Sequence, residues 1–374
     1  MAGKKTEFLY LNEEEMIKAG VLDSKHCVDV LDEMFKLVGK GDYVCGGPNH
    51  NEHGIKISFP DHPEFPGMPA NGPDRRFMAM VGYLGGRFHV SECKWYGSNV
   101  INPSRGLPRS VLMVMLNDPD TCEPLALMSG NLISSTRTGC VPGVAVRYLE
   151  SAKAEVCTCI GAGPISRACL SGILAESKHI KRVAVFDIND ANADKFVEWA
   201  SKTFKIDVVK CATTEEAVKM GDVISVATSR LKPVALKNEW LKPGSLLILT
   251  GACHLEDDYI LSSKIVFDNP LMFKAYMADA HRSEEGVEAA YAYMMGGDIL
   301  RLIEAGKLPA IEKQTGLGNI AIGQAPGRES DDERIIMQTS GMPTEDAAWG
   351  CEIYRKAKEM GLGTKLLLWN EPYL

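Results

Sequence analysis

The chain has 374 residues, a net charge of −8 and 24% charged residues. This length exceeds the roughly 250 to 300 residues at which a single hydrophobic core stops growing, so we expect two domains. An acidic chain without a run of lysine or arginine is not typical of nucleic-acid-binding proteins, and we expect no nucleic-acid partner. The sequence contains no uninterrupted apolar stretch long enough to span a bilayer, which predicts no membrane association.

The cysteines and the first residues predict a cytoplasmic protein. The eleven cysteines are scattered without a CxxC pair, as expected of small buried apolar residues in a reducing compartment. Acidic residues interrupt residues 1–16 before a signal peptide could form. The eight histidines show no HExxH or Cys/His ligand spacing, so we predict no metal site.

The amino-terminal third of the chain predicts an α+β arrangement. Residues 8–11 predict a short strand, and two segments with helical spacing follow, the first opened by Asn12 as an N-cap. Residues 46–73 are rich in Gly, Pro, His and Asn and predict a long loop with one strand at residues 55–59. We hypothesise that this loop forms part of a substrate pocket. Short apolar segments in residues 75–129 predict a mostly antiparallel sheet.

Two cations stand out in this part of the chain. Lys94 lies in the predicted sheet among apolar and aromatic neighbours, where an unpaired ammonium is costly, so we expect an anionic partner. Residues 132–151 predict a helix with Arg137 in its first turn and with Pro142 inside it. The helix dipole disfavours a cation at that end. We therefore predict that Arg137 binds an anion, together with the helix amides.

Residues 154–187 have the pattern of a βαβ unit that holds a dinucleotide. Gly161 supplies the tight turn after the first strand, Gly163 allows the backbone to approach a pyrophosphate, and Ser166 permits close packing of the helix on the strand. The amides that begin the helix would point at the phosphates. The predicted cofactor-binding residues of this turn are Gly161, Gly163, Pro164, Ile165 and Ser166.

Asp187 ends the second apolar segment, about 20 residues beyond Ser166, where a carboxylate that accepts hydrogen bonds from the adenosine ribose is expected. The same carboxylate would repel a 2′-phosphate. Because no arginine or lysine follows Asp187 in DIND, the sequence predicts NAD rather than NADP as the cofactor.

Further alternation of helices and strands predicts a parallel, doubly wound sheet of the Rossmann type. Ligands of such a sheet bind at the carboxyl ends of its strands. This rule adds three cofactor-binding candidates, which are Thr228, Ser229 and Gly251. The turn TGACHLEDD also carries His254 and Glu256, whose side chains suit acid/base chemistry or an ordinary solvated turn. One long helical stretch is predicted from Pro270 to about residue 305, and a closing helix spans residues 344–361.

Several motifs occur in an order that resembles the ornithine cyclodeaminase and mu-crystallin family. They are KWYGSN around Lys94, the hairpin NPSRGLPRSVLMVMLNDPDTCEPLALMSG, STRTG, GAGPIS, APGRESDDE and SGMPTED. The resemblance covers roughly residues 75–365. It implies an NAD-binding Rossmann domain at residues 136–345. It also implies a substrate-binding and dimerisation domain at residues 1–135, completed by residues 346–374, and hence a homodimer.

The resemblance also implies roles for individual residues. Lys94 matches a lysine that touches the substrate carboxylate and the reacting centre, and Arg137 matches an arginine that pairs with that carboxylate. The family's second arginine has no clear counterpart, and its candidates are Lys56, Arg75 and Arg76. The candidate general bases are His254, Glu256 and a water molecule bound to Lys94.

The reaction implied is hydride transfer between Cα of an L-amino acid, or its imine, and the nicotinamide. Ornithine cyclodeamination, which gives L-proline and ammonia, is slightly favoured as the named reaction. The alternative is a dehydrogenase or ketimine reductase that acts on another amino acid or a cyclic imine. Cys253 favours this alternative, since cyclodeaminases carry an aspartate there. A third hypothesis is a non-catalytic binding protein, against which the presence of Lys94 and Arg137 argues.

Overall fold

A computed structural model describes residues 4–229 and 232–373 of the chain. Its helices are α1 (Glu13–Lys18), α2 (Ser24–Lys40), α3 (Asn131–Leu149), α4 (Pro164–Glu176), α5 (Asp190–Phe204), α6 (Thr214–Met220), α7 (Asp257–Leu261), α8 (Pro270–Arg282), α9 (Val287–Tyr293), α10 (Gly297–Glu304), α11 (Leu317–Ala321) and α12 (Pro343–Glu359). Its strands are β1 (Thr6–Leu11), β2 (Tyr43–Cys45), β3 (Ile55–Ser58), β4 (Arg76–Leu84), β5 (Val90–Ser98), β6 (Ser110–Asn117), β7 (Pro124–Ser129), β8 (Val156–Ile160), β9 (Arg182–Phe186), β10 (Asp207–Lys210), β11 (Val223–Val226), β12 (Val234–Leu236), β13 (Leu246–Leu249), β14 (Cys253–Leu255), β15 (Lys264–Phe267), β16 (Thr315–Gly316), β17 (Ile335–Gln338) and β18 (Thr364–Trp369). Among these described helices, none combines the length and the apolar character needed to cross a membrane.

The chain divides into two compact units. The first contains residues 1–23, 41–137 and 342–374, and the second contains residues 24–40 and 138–341. The sequence assigned residues 24–40 to the first domain, whereas the helix that they form, α2, belongs to the second unit. The apolar face of α2 explains the difference, because its buried residues pack within that unit.

The first unit is built on a mixed sheet with the strand order β18-β1-β7-β6-β5-β4-β2, and β3 pairs with β4. The strands from β4 to β7 are antiparallel neighbours, as the sequence predicted. Along β5, residues at even-numbered positions are buried, and α12 packs on β4 and β5. The inner face of β5 therefore carries Glu92, Lys94 and Tyr96 beneath α12.

The second unit contains a sheet with the order β10-β9-β8-β11-β13-β17-β15-β16, in which every pair of neighbours is parallel. Continuous burial of β11 and β13 shows that helices cover both faces. The chain crosses from one half of the sheet to the other between β8 and β11, and this switch point is where such sheets bind ligands. The predicted fold class, a Rossmann-type sheet with a second α+β domain, is confirmed.

Several local predictions were wrong. Arg137 lies in the second turn of α3 and not in the first, because α3 begins at Asn131, six residues before Arg137. The single helix predicted from Pro270 onward is three helices, because Gly286 and Gly296 adopt positive φ angles of 89° and 70° that an α-helix cannot contain. The carboxyl-terminal strand β18, which pairs with β1, was not predicted.

Candidate active site

Gly161 makes the sharp turn after β8. Its φ is +101°, and a Cβ atom added there would lie 2.6 Å from the carbonyl oxygen of Ala227, the residue that follows β11. The hydroxyl of Ser166 donates a hydrogen bond of 2.6 Å to the carbonyl of Gly161 and is fully buried. Glycine is therefore required at position 161, and the hydroxyl of the small Ser166 ties α4 to the turn.

Gly163 precedes α4 and has ordinary extended backbone angles, with φ of −75° and ψ of −179°. A Cβ atom added at Gly163 would meet no atom within 4 Å, so this glycine faces open space. Pro164 is the first residue of α4, where the missing proline N–H costs nothing. The amides at the start of this 13-residue helix thus border a groove that an anion can approach.

The groove has a volume of about 420 Å³. Asp187 lies at its edge and holds the turn, since it accepts hydrogen bonds from the N–H of Ala162 at 2.7 Å and of Asn189 at 2.8 Å. Each carboxylate oxygen keeps a lone pair for a further donor, such as a ribose hydroxyl. The groove is lined by residues that include Gly161, Gly163, Pro164, Asp187, Thr228 and Ser229.

The other predicted cofactor residues extend this site along the sheet. A Cβ atom at Gly251 would lie 2.9 Å from the carbonyl oxygen of Thr228, so the segments that follow β11 and β13 are in close contact. Ile165 lies in the first turn of α4, and its side chain is partly buried. The geometry therefore fits a dinucleotide, with phosphates at α4 and ribose at Asp187.

The side chains of His254 and Glu256 contact different parts of the second unit. The segment that was predicted to be a turn contains strand β14, which pairs with β12. Helix α7 begins directly after Glu256. His254 Nδ1 lies 3.3 Å from Asp298 Oδ2. Glu256 accepts a hydrogen bond of 2.6 Å from the N–H of Asn238 and lines a different cavity, of about 850 Å³, with Lys219. The structure therefore does not bring Glu256 to the nucleotide groove.

Lys94 is buried in the first unit, and its anionic partner is Asp346 of α12. The Nζ of Lys94 donates a hydrogen bond of 2.6 Å to Asp346 Oδ2 and lies 3.4 Å from the hydroxyl of Ser134. Burial lowers the pKa of the Lys94 ammonium, and the nearby Arg137 adds to this effect, while Asp346 opposes it.

Arg137 shares Asp346 with Lys94. Its Nε donates to Asp346 Oδ1 at 3.1 Å, and its Nη1 pairs with Glu345, the preceding residue of α12. Burial disfavours the charged guanidinium, but Asp346 and Glu345 outweigh burial and raise its pKa above the ordinary value. The anions that pair with Arg137 are thus two protein carboxylates of α12, whereas the sequence predicted an anion held by Arg137 together with the amides that begin α3.

Glu92 completes a buried cluster of charged groups, which we call the acid–base cluster: Glu92, Lys94, Arg137, Glu345 and Asp346. Glu92 is 4% exposed, and among the described residues neither of its carboxyl oxygens has a hydrogen-bond partner. Burial raises its pKa well above the ordinary range; Asp346 reinforces the shift, while Lys94 and Arg137 oppose it.

Three residues are candidates for the family's second arginine, and one of them, Arg76, approaches the same aromatic ring as Lys94. The guanidinium of Arg76 lies 5.8 Å from the centre of the Tyr96 ring, and Lys94 Nζ lies 5.9 Å from the same centre. Arg76 also pairs with Asp74. Lys56 is exposed on β3. Arg75 lines an apolar cavity that includes residues of the 46–73 segment, whose role in a substrate pocket stays a prediction.

Sequence reasoning missed Glu92, Glu345 and Asp346. Two consecutive acids at the start of a helix ordinarily complement its dipole, which hides any other role. Glu92 offered one signal, since it stands two residues before Lys94 in a strand of alternating burial and therefore points to the same face.

The sequence profile of the ornithine cyclodeaminase/mu-crystallin family matches residues 21–361. The chain belongs to this family. The match confirms the resemblance that the motifs indicated.

Among curated relatives, N-((2S)-2-amino-2-carboxyethyl)-L-glutamate dehydrogenase of Staphylococcus aureus is 29% identical over 97% of this chain and 99% of its own length. The alanine dehydrogenase of Archaeoglobus fulgidus is 27% identical, over 96% and 98% respectively. The structure of Δ1-pyrroline-2-carboxylate reductase of Thermococcus litoralis, in complex with NADH and L-proline, matches with a TM-score of 0.77 and 27% identity. It covers 96% of this chain and 99% of that one. The NADH in that relative agrees with the NAD predicted from the sequence.

Proposed function

We propose that this chain is an NAD(H)-dependent oxidoreductase that acts at Cα of an amino acid or of the corresponding imine. The observation that carries the proposal is the groove at α4, where the open face of Gly163 and the carboxylate of Asp187 supply the two contacts that a dinucleotide needs. When bound, the nicotinamide would supply hydride chemistry. The residues that would hold the cofactor are Gly161, Gly163, Pro164, Ile165, Ser166, Asp187, Thr228, Ser229 and Gly251.

The groove favours NAD over NADP. Asp187 would repel a 2′-phosphate, and Lys210, which lines an adjoining cavity with Asp187, is paired with Asp190 and Asp194 at 2.7 Å each. No phosphate-binding cation therefore offsets the aspartate among these residues.

We assign the substrate carboxylate to Arg137 and Lys94. A planar guanidinium can bind a carboxylate through two parallel hydrogen bonds. Asp346 already pairs with both cations, and Glu345 pairs with Arg137. The substrate carboxylate must therefore share these cations with α12. Arg76, which contacts the same tyrosine ring as Lys94, is our choice for the second arginine.

Amino-acid dehydrogenation or imine reduction now fits better than ornithine cyclodeamination. The curated relatives described above are dehydrogenases, and the solved structure is that of a reductase. The family resemblance places Cys253 where cyclodeaminases carry an aspartate. Burial raises the pKa of its thiol, and Asp298 adds to this effect, so Cys253 is uncharged at neutral pH. A neutral thiol cannot pair with the distal ammonium of ornithine as a carboxylate would.

A substrate panel tests the proposal. The protein is incubated with NAD and L-alanine, L-proline, L-ornithine or N-((2S)-2-amino-2-carboxyethyl)-L-glutamate, and with NADH and Δ1-pyrroline-2-carboxylate. Reduced cofactor and ammonia are followed together. We expect stoichiometric change of the cofactor with at least one compound. Ammonia release from ornithine without net reduction would instead establish cyclodeamination, and cofactor binding without any turnover would favour a binding protein.

We also propose that the chain forms a homodimer through the outer face of the first unit's sheet. Large apolar side chains are exposed there on adjacent strands, namely Phe77, Val81, Trp95, Val111, Met113 and Met115. A contiguous apolar surface of this kind is typical of an interface between subunits.

Replacing Met113, which is 46% exposed on β6, with lysine is expected to convert the dimer to monomer. The reason is that a buried lysine without a partner opposes association. Light scattering after size exclusion measures the mass. Leu261→Lys, at an exposed leucine in the second unit, is the matched control and should leave the mass unchanged. A wild-type protein that is monomeric at micromolar concentration would contradict the proposal.

A further inference from the structure

Glu92 is placed beside Lys94 by the geometry of β5. The two residues are two positions apart and point to the same buried face, so their Cα atoms are about 6.6 Å apart along the strand. Glu92 stands opposite Gly82 on β4, a residue without a side chain, and opposite Leu116 on β6. Hence no polar side chain from these paired positions satisfies its carboxyl group.

Counting charges shows that Glu92 is the surplus acid. The acid–base cluster holds two cations and three acids; Asp346 pairs with both cations and Glu345 with Arg137. The titratable and charged groups that interact electrostatically with Glu92 are Cys45 of β2, Cys93 and Lys94 of β5, Arg137 of α3 and Asp346 of α12. Glu345 of α12 acts on Cys45 and Arg137. If all three acids were ionised, the buried cluster would carry an uncompensated negative charge, which is costly.

We propose that Glu92 is the catalytic residue that binds the amino group of the substrate and accepts a proton from it, a role that rests on the proposed function. A zwitterionic amino acid suits the cluster, since its carboxylate would lie at Arg137 and Lys94 and its ammonium at the carboxyl group two positions along β5. The ammonium is the positive charge that the cluster lacks. Glu92 therefore selects amino acids over hydroxy acids of the same shape.

The proton balance is simple. In the oxidative direction, one N–H bond of the ammonium breaks and its proton forms an O–H bond with the Glu92 carboxylate, which leaves a neutral amine that can lose hydride from Cα. In the reductive direction, the Glu92 carboxyl group returns the proton to the product amine. Burial, which favours the protonated carboxyl, brings the proton affinity of Glu92 closer to that of an amine.

The variant Glu92→Gln keeps the size and buried position of the side chain but cannot accept a proton. We expect kcat/KM for amino-acid oxidation to fall by about 10²-fold to 10⁴-fold. We also expect the acidic limb of its pH profile to disappear, and NADH affinity to stay unchanged. Glu352→Gln is the matched control, because Glu352 lies on α12 in the same unit but pairs with Arg87 at 2.8 Å.

Binding separates this inference from the proposed function. In the presence of NADH, calorimetry measures the affinity of the protein for L-alanine and L-proline. It also measures the affinity for propanoate and cyclopentanecarboxylate, which are the corresponding carboxylates without the nitrogen. We expect Glu92→Gln to bind the amino acids at least about 10-fold more weakly and the two carboxylates as well as wild type does. Equal affinity of both proteins for the amino acids, with unchanged turnover, would overturn the role of Glu92 alone. A wild-type protein that neither binds nor turns over any amino acid would remove both proposals.

Discussion

Replacing Arg137 with methionine is expected to abolish turnover and to lower the free energy of unfolding by about 3–5 kcal/mol. Methionine fills similar space but removes the cation that pairs with Glu345 and one of the two cations that pair with Asp346. Both acids are fully buried, so their charges cannot be solvated in the folded state. Urea denaturation at neutral pH measures the stability, and the panel above measures turnover.

A second substitution separates the structural role of Arg137 from its role in binding. In the double variant Arg137→Met with Glu345→Gln, the negative charge that Arg137 balances at Glu345 is removed and Asp346 keeps its 2.6 Å bond to Lys94. Stability should recover by most of the loss, whereas turnover should not. Arg137→Lys is the matched control that keeps the charge but loses the planar fork. If the double variant regained activity together with stability, the acid–base cluster would serve only to hold α12 on the sheet.

The nucleotide-binding half could be predicted from the sequence because its signals are local. The turn after β8, the start of α4 and the carboxylate that ends β9 occupy one stretch of chain, residues 154–187, and each has a physical requirement that a residue type reveals. Gly161 needs its positive φ, and Asp187 holds the turn through backbone amides. Short-range geometry of this kind is encoded by spacing alone.

The start of α3 was predicted to within one residue, at residue 132, but the contacts that anchor it to a distant strand were not predicted. Asn131 begins the helix, and its side chain accepts a hydrogen bond from the N–H of Leu112 at 3.0 Å and donates one to the carbonyl of Ser110 at 2.8 Å. These bonds anchor the first turn of α3 to β6. Counted from Asn131, Arg137 is the seventh residue of α3, so it lies in the second turn and not in the first turn as predicted.

The acid–base cluster could not be predicted from the sequence because its paired residues are distant in the chain. Its bonds join residues 252 positions apart, for Lys94 and Asp346, and 209 positions apart, for Arg137 and Asp346. The prediction that Lys94 needs an anion followed from the cost of burying a charge. The identity of that anion required the packing of α12 on β5.

Replacing Gly163 with leucine is expected to weaken NADH binding by at least about 100-fold while leaving the thermal stability of the protein unchanged. The backbone of Gly163 is in a conformation that any residue adopts, and its Cβ would meet no atom, so the fold accepts a side chain there. That side chain would fill the space at the start of α4 where a pyrophosphate must approach the amides. Titration of NADH fluorescence and thermal unfolding with and without NADH measure the two effects.

Gly161→Ala, two residues earlier, is expected to lower the stability of the protein, unlike Gly163→Leu. A Cβ atom there would lie 2.6 Å from the Ala227 carbonyl oxygen in a backbone with φ of +101°, so the substitution should destabilise the free protein by about 1–3 kcal/mol. The fold thus requires glycine at position 161, whereas at position 163 the bound dinucleotide requires it. If Gly163→Leu bound NADH as tightly as wild type, the dinucleotide would have to lie away from α4, and the proposed cofactor site would be wrong.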